Sequence, residues 1–550
     1  MQPTISDLSG SSPIFLLEID FLGQMHRFST IPISFDGNEY IGNLEDFQYE
    51  ERSDLLGADI EANSFSCAVF FDGLDMVREW RKGRTIEGSK ANLSYILMRE
   101  GQIVSVDKIQ LLEGEVQEPV FGDPEEPKSF CAFTVERKAY DLEIPLLDPV
   151  KIIDKAKFPY LDEDTASSKM YPLIIGQPGK TRDETGTTIN LYCTPAYNHK
   201  RYTLGSPSGD VYFLIAGHDV LATTVHISDG VKPPISKTVL RAADLNGNFY
   251  SYVDLTPDTF LYPGYLLLTD VGSQPNEWFV SWTNGGGMES PYGGGLLEGG
   301  GDICLYALQR SRLPMDRGAW FNIRDLLNTY KFAGYINDPT LSCWDFLREY
   351  ILPHLPIEVK PGPKGLRPIL AQMYAFQYTT PRREIVAGPH FAQISAITTQ
   401  TDTADIYNGC LIRYAKNSFE DSYYGSLRIA SDGTNTDEDR QNLLSISSEN
   451  RYGKSETTIE TDFIYDRGTA ARVAYLKVRS RAFPVRTMRY LADMEFGILQ
   501  LGDVIILTDE NMYLYGTKCT IIEKTWNETN WIIGICIEDS PLFTDRYFEE

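Results

Sequence analysis

The chain has 550 residues, of which 42% are hydrophobic and 12% aromatic, with 32 Tyr and 27 Phe. This length exceeds one hydrophobic core and predicts roughly three to four domains, and the aromatic content favours β-structure. Lys plus Arg is 50 and Asp plus Glu is 77, so the net charge is −27. This charge argues against a nucleic-acid-binding protein, because binding to nucleic acid needs clustered cations. An acidic surface keeps a protein soluble, and it would also repel DNA, so both interpretations of the charge stay open.

Residues 1–150 are predicted to form one β domain, a compact barrel or sandwich. Apolar runs predict strands at 14–21, 64–71, 91–99, 102–112 and 129–136, and an amphipathic helix is predicted at 75–82. The pair Asp36-Gly37 lies between two apolar runs and predicts a hairpin, because such a tight turn needs positive φ angles. An acidic, proline-rich turn is predicted at 123–127.

Residues 151–170 are predicted to be an exposed linker, because they contain Pro159 and an acidic run at 162–164. Residues 171–315 are predicted to form an inserted β domain with strands at 212–216, 221–227, 260–268 and 278–282. This domain contains a glycine-rich stretch at 285–301, predicted to be a flexible loop because it has high chain entropy and no core. The alternative is a mobile finger at an assembly contact, with Met288 and Tyr292 as its contact side chains.

Residues 316–390 are predicted to form a mixed helical and β insertion. Helical spacing of apolar residues predicts helices at 321–332 and 342–351, with a start signal at 337–340 and a stop at Pro353. Strands resume at Leu366. Residues 391–550 are predicted to form a further β domain with strands at 393–399 and 409–415 and a polar loop at 431–438.

The last part of the chain contains a basic segment, which consists of Lys477, Arg479, Arg481, Arg486 and Arg489. It is compatible with a helix as far as Pro484, and a tight corner at 501–503, a strand at 504–507, a turn at 508–509 and two more strands are predicted after it. DNA contact is one interpretation of the five cations. The favoured interpretation is that they meet acids of a neighbouring domain or subunit.

The eight Cys residues are scattered and lack the close ligand pairs that zinc and iron–sulfur sites need, so buried free thiols are expected. Cys519 and Cys536 are expected to lie near one another on neighbouring strands. No metal, cofactor or disulfide framework is predicted.

The patterns that would indicate an enzyme are incomplete. The stretch 205–209 has Pro207 where a nucleophile elbow needs a hydroxyl. The stretch 244–248 begins like a calcium loop, but Phe249 replaces the required Gly and Leu255 the required Glu, so a hairpin turn is predicted. His218 and His226 could meet only across a hairpin, and nothing singles out a carboxylate pair among 77 acids. We therefore expect no catalytic residue.

The first 13 residues contain no Lys or Arg, so no secretory signal is expected. No apolar run reaches the ~18 residues of a transmembrane helix. A soluble protein made and folded in a cytoplasm is therefore expected, without stable membrane insertion.

Four parts of the chain, in this order, resemble the tail hub proteins of tailed bacteriophages and gene transfer agents, and more distantly the baseplate hub of contractile tails. The resemblance rests on the order of these parts rather than on any single motif. They are the opening β domain with its Asp36-Gly37 hairpin, the run Tyr-Pro-Leu-Ile-Ile-Gly at 171–176, the run Cys-Trp-Asp-Phe-Leu-Arg at 343–348 followed by Gly-Leu-Arg-Pro at 365–368, and a group made of 403–408, 483–486 and 501–509.

The resemblance implies a homotrimeric ring at the tail tip of a virion, made in the cytoplasm of a bacterial host. Each chain would contribute two tube-like β domains, 1–150 and 391–550, so that the ring has six-fold pseudo-symmetry and joins a hexameric tail tube to a three-fold tip. The implied partners are the distal tail or tube protein, the tape-measure protein and tail-fibre or tip proteins. The family has no catalytic residues, and the genome would pass through the channel without sequence-specific binding.

The resemblance gives the net charge a possible use. A trimer would carry 3 × −27, or −81, and acids on the channel wall would repel DNA so that it slides.

Two other functions are open: a receptor- or carbohydrate-binding tail protein, and a polysaccharide-degrading enzyme. Tryptophans clustered on an exposed groove would favour sugar binding, because aromatic side chains stack on sugars, and buried tryptophans would favour the hub. Two close carboxylates buried in a cleft would favour the enzyme.

Overall fold

The computed structural model describes residues 12–52, 64–105, 107–122, 129–136, 142–148, 170–182, 186–200, 212–228, 235–243, 249–254, 278–362, 364–399, 405–418, 421–432, 439–527 and 530–537. Strands make up 47% and helices 20% of the structure, which confirms a mainly β, multidomain fold with a minor helical part. The features predicted at 123–127, 151–169, 205–209, 244–248, 260–268 and 433–438 lie outside the described residues. In the part that is described, no helix is long and apolar enough to span a bilayer.

In its described residues, the N-terminal region consists of antiparallel strands, of which β3 and β4 form a separate hairpin, and one short helix, α1 (Met76–Arg81). Its strands are β1 (Ser12–Phe21), β2 (Gln24–Ser29), β3 (Ile33–Phe35), β4 (Asn38–Tyr40), β5 (Leu44–Arg52), β6 (Ser64–Phe70), β7 (Lys90–Arg99), β8 (Gln102–Ile103), β9 (Ile109–Phe121) and β10 (Phe130–Glu136).

Strand β1 shows why this region folds as a sheet. Phe15, Leu17 and Ile19 point into the large core, whereas Ile14 and Leu16 pack on the other face, as the two-residue period of a strand requires. The predicted hairpin is confirmed, since Asp36 and Gly37 close β3 onto β4 with φ angles of 50° and 73°.

The middle region contains a closed barrel and three two-stranded sheets. Its strands are β11 (Leu173–Ile175), β12 (Lys180–Arg182), β13 (Thr188–Asn190), β14 (Thr194–Lys200), β15 (Tyr212–Ala216), β16 (Thr224–Ser228), β17 (Ile235–Ala243), β18 (Phe249–Asp254), β19 (Trp278–Asn284), β20 (Gly334–Ile336), β21 (Ile357–Gly362) and β22 (Gly365–Leu370). The barrel has the order β14-β15-β18-β17-β16-β19, and β11 pairs with β20, β12 with β13 and β21 with β22.

In the part of the chain that the structure describes, six further α-helices follow this barrel. They are α2 (Gly300–Arg310), α3 (Arg317–Leu327), α4 (Cys343–Phe346), α5 (Gln372–Tyr378), α6 (Asp439–Tyr452) and α7 (Arg467–Arg481). A π-helical turn extends α4 to Ile351, so the helix predicted at 342–351 is confirmed.

Side-chain caps decide where two of these helices begin. The carboxylate of Asp316 accepts a hydrogen bond from the Ala319 amide, which starts α3 four residues before the predicted position. The hydroxyl of Ser342 accepts one from the Asp345 amide and starts α4, whereas the predicted start signal at 337–340 forms only a local turn.

The C-terminal region contains the remaining strands. They are β23 (Arg383–Val386), β24 (Phe391–Gln393), β25 (Thr398–Thr399), β26 (Gly409–Asn417), β27 (Ser422–Ile429), β28 (Glu456–Glu460), β29 (Arg486–Ala492), β30 (Val504–Asp509), β31 (Leu514–Asn527) and β32 (Asn530–Ile537). Strands β27-β26-β28 form a separate sheet on which α7 packs.

The two ends of the chain meet in one sheet. Strand β5 pairs with β31, with Tyr49 opposite Trp526 and Glu51 opposite Lys524. A single 15-stranded sheet therefore runs from β2 through β1-β7-β9-β10-β6-β5 into β31-β32-β29-β24, with β30 and β23 branching from β31.

An aromatic cluster fills the core at this junction. The ring centroids of Trp526 and Trp531 lie 5.1 Å apart, and Phe15 lies 5.0 Å from Trp526 and 4.3 Å from Phe47. Aromatic pairs at such distances add roughly 0.5–1.5 kcal/mol each beyond their area burial. Residues from the first 135 and the last 50 positions therefore share one hydrophobic core.

Candidate interaction sites

The glycine-rich stretch at 285–301 is not the flexible loop that its composition predicts. Gly286 and Gly287 are buried against β11, and the Met288 amide donates a hydrogen bond of 2.9 Å to the Ile174 carbonyl. A Cβ on Gly287 would lie 2.2 Å from that same carbonyl oxygen. The glycines are there because a backbone packs on a backbone, and the stretch runs directly into α2.

A buried carboxylate fixes the far end of this stretch. Asp302 accepts hydrogen bonds from Ser290 (2.5 Å), Arg324 (2.6 Å) and Asn328 (2.8 Å). Burial opposes ionisation of this carboxyl, but the three donors outweigh it and lower its pKa. The charged network ties the glycine-rich stretch to α2 and α3.

The two side chains predicted to make contacts in this stretch are both partly buried. Met288 packs against the central core. The Tyr292 hydroxyl donates to Gln309 (2.9 Å), and the Tyr292 carbonyl accepts from Arg324 (3.0 Å).

The basic segment is divided between two elements. Lys477, Arg479 and Arg481 lie on the last turns of α7, and Arg486 and Arg489 lie on β29. The helix ends at Arg481, just before Pro484, as predicted. The five cations therefore do not form one continuous patch on one element.

Two of the five cations have side-chain partners among the described residues. Arg489 donates to the Glu523 carboxylate at 2.7 Å, passing over Gly534, which pairs with both residues in the sheet and has no side chain. Arg479 donates to the Tyr475 hydroxyl at 3.2 Å. Arg486 pairs through its backbone position with Thr399 of β25.

Lys477 and Arg481 instead line a cavity of about 430 Å³. It lies between α7, β21, β28 and the turn that follows α4. Its apolar wall includes Leu352, Leu355, Ile357, Val359, Ile459 and Leu476. Sequence reasoning found the two cations but not the cavity, because its walls come from segments more than 100 residues apart.

The corner at 501–503 adopts the predicted tight turn. Gly502 has a φ angle of 80°, and a Cβ added at this position would lie 2.5 Å from Cγ2 of Ile369. Asp503 accepts from the Gln500 amide (2.8 Å) and from Arg382 (2.7 Å). Burial raises the pKa of this carboxyl although Arg382 acts against it. The strand after the corner extends to Asp509, so the turn predicted at 508–509 lies at 510–513.

The cysteines and histidines have structural surroundings. All eight Cys are buried free thiols, and Cys519 and Cys536 lie on neighbouring strands but face opposite sides of the sheet, because Cys536 pairs with Thr520. His218 accepts from the Ile174 amide at 3.0 Å, and His226 lies on β16. Among the described residues no group of His, Cys, Asp and Glu could hold a metal ion.

Among the tryptophans whose side chains the structure describes, five are buried, namely Trp282, Trp320, Trp344, Trp526 and Trp531, whereas Trp80 is 54% exposed. The buried carboxylates of the described residues belong to four different elements: Glu79 in α1, Asp302 in α2, Glu358 in β21 and Asp509 at the end of β30.

No family model and no curated protein matches the chain. Among solved structures, the chain is similar to the 43 kDa tail protein of prophage MuSo2 from Shewanella oneidensis, with 8% sequence identity over 95% of this chain and 97% of that chain and a TM-score of 0.35. It is also similar to a chain from the virion of a native gene transfer agent particle, with 9% identity over 74% of this chain and 91% of that chain and a TM-score of 0.37. At these values neither alignment assigns the chain to a family.

Proposed function

We propose that this chain is a structural component of a phage tail, specifically a hub at the tail tip. Three copies would form a ring that joins the hexameric tail tube to the three-fold tip and lines the channel for DNA. The observation that carries the proposal is the pairing of β5 with β31, because it joins the N-terminal and C-terminal β regions of one chain side by side in one wall. Three such walls would supply six wall segments to a ring.

The two ends of the 15-stranded sheet support a head-to-tail contact between copies. At one end Met25 of β2 and the adjacent Ile41 are exposed, and at the other end Ile394 and Ile397 lie exposed between β24 and β25. A ring needs such heterologous contacts, in which one end of a subunit meets the other end of the next. Edge strands that expose aliphatic side chains are otherwise a hazard for aggregation.

The burial of the tryptophans favours this proposal over the sugar-binding alternative. Of the six tryptophans whose side chains are described, five fill cores, two of them at the junction itself, rather than lining a shared exposed groove. The polysaccharide-degrading alternative would need two buried carboxylates in one cleft, and the buried carboxylates that the structure describes lie in four different elements.

The proposed ring can be tested by native mass spectrometry of the purified 62.1 kDa chain. We expect a trimer, and Ile41→Glu or Ile394→Glu should each convert it to monomer, because either substitution places a carboxylate in a contact that buries aliphatic surface. Leu443→Glu is the matched control, since Leu443 is equally exposed but lies on α6 away from both sheet ends. A chain that is monomeric at every concentration, or trimers that resist both edge variants, would contradict the proposal.

The charge of the channel is a separate part of the proposal. Acids on the inner wall would keep DNA from adhering as it passes. A trimer structure with a neutral or basic inner wall would contradict this part and leave the ring itself intact.

A further inference from the structure

The cavity beside α7 contains two cations at its polar side. Lys477 and Arg481 are four residues apart, so they lie on the same face of the helix, and both line the cavity together with Ser480. Neither side chain forms an ion pair with any residue that the structure describes. Like charges at this spacing repel each other, so the arrangement costs stability.

The groups around Lys477 do not compensate its charge. Glu358 lines the cavity, but its carboxylate lies 2.8 Å from the ammonium group of Lys360. His354 is buried, and burial together with the charge of Lys477 lowers its pKa to about 3, so it is neutral at pH 7. Burial raises the pKa of the Cys410 thiol to about 12, so it is not a thiolate. Burial and the neighbouring Arg481 lower the pKa of Lys477 itself.

An uncompensated, largely buried cation is costly, and an anion that enters the cavity would offset the cost. About half of the lining residues are aliphatic, and they favour an anion that is attached to an apolar part. The volume of about 430 Å³ lies within the range of ligand pockets, roughly 300–1,000 Å³.

Two strands that each have one unpaired edge line the same cavity. Strand β28 pairs only with β26, and β21 pairs only with β22, among the described residues. Ile357 and Val359 of β21 and Thr457 and Ile459 of β28 contribute to the wall. An extended peptide can pair its backbone with such an edge while its side chains enter adjacent pockets.

We propose that this cavity is the docking site for an extended segment of a partner protein that carries an acidic side chain between aliphatic ones. The carboxylate binds Lys477 and Arg481 through charge-assisted hydrogen bonds. The aliphatic neighbours pack on Leu355, Val359 and Ile459. The site is complete in one chain, so it does not depend on the ring proposed above.

The proposal can be tested by fluorescence polarisation with a labelled peptide, Thr-Ile-Glu-Ile-Thr, and its analogue with Gln in place of Glu. The wild-type chain should bind the Glu peptide at least tenfold more tightly than the Gln peptide. Lys477→Gln and Arg481→Gln should each abolish this preference. Arg472→Gln is the matched control, because Arg472 lies on the same helix but is exposed and donates to the Thr329 carbonyl, and it should retain the preference.

Ile459→Glu provides a second variant that keeps both cations. The new carboxylate supplies an internal anion to the cavity, so peptide binding should weaken at least tenfold while the melting temperature rises. Equal binding of the two peptides to wild type, no binding of either, or a preference that survives in Lys477→Gln and Arg481→Gln would each overturn the proposal. Displacement of the Glu peptide by inorganic phosphate at equal concentration would also overturn it, since it would show a site for small anions.

Discussion

At the scale of single residues, the glycine-rich stretch contains one glycine whose replacement should destabilise the fold and another whose replacement should not. A Cβ on Gly287 would lie 2.2 Å from the Ile174 carbonyl oxygen, whereas a Cβ on Gly294 would have nothing within 4 Å. Gly287→Ala should therefore lower the free energy of unfolding by about 1–3 kcal/mol. Gly294→Ala should change it by less than about 0.5 kcal/mol. Urea unfolding of both variants measures the difference, and equal effects would show that the stretch is loosely held.

His354 gives a prediction about pH. Its pKa is about 3 in the folded chain, because burial and Lys477 disfavour the charged form, and about 6.5 in the unfolded chain. The unfolded state thus binds more protons between these values, so the contribution to stability is present above pH 6.5 and is lost as pH falls towards 3. Protonation of His354 in the unfolded state should by itself lower the free energy of unfolding by about 2 kcal/mol between pH 7 and pH 5.

The comparison of two variants isolates this term. His354→Gln should lose about 2 kcal/mol less than wild type between pH 7 and pH 5, as measured by urea unfolding at both values. Leu443→Gln, at an exposed position on α6, is the control and should follow wild type, because it neither adds nor removes a titratable group. Parallel pH curves for wild type and His354→Gln would contradict the assignment.

The sequence could identify the charged residues of the candidate site but not their surroundings. The five cations can be recognised in the sequence because they lie close together in a chain that is acidic as a whole. Which of them meets an acid depends on the sheet: Arg489 reaches Glu523 because Gly534 leaves the space between them open. Lys477 and Arg481 face a cavity whose walls come from β21 and β28, and no local pattern links those segments.

At the scale of elements, strands with alternating or continuous apolar residues were predictable. Strands β1, β6, β26 and β30 lie within a few residues of their predicted positions. A strand that is buried on one or both faces has an alternating or continuous pattern of apolar residues, which can be recognised in the local sequence. Helix α6 was missed, since its sequence is largely polar and gives little amphipathic signal. The glycine-rich composition predicts a flexible loop because glycine has high chain entropy. Composition gives no information about a close contact between two backbones, which is what the structure shows for this stretch.

At the scale of the whole molecule, the pairing of β5 with β31 joins positions about 475 residues apart and could not be predicted from local patterns. It makes the N-terminal and C-terminal regions parts of one sheet and one core. Two regions that share a core should unfold together rather than as separate domains.

Trp531 tests this coupling, because its side chain is fully buried and packs against Trp526, Tyr49 and Tyr95. Trp531→Ala should cost about 3–5 kcal/mol. Hydrogen exchange should then speed up by similar factors in β1 and β6 of the N-terminal region and in β32, although the substitution lies in the C-terminal region. Trp80→Ala, at an exposed position in α1, should leave the exchange of all three strands unchanged. Faster exchange confined to β29–β32 would mean that the N-terminal region folds on its own, and the shared wall on which the proposed ring depends would then be a weak contact between two independent units.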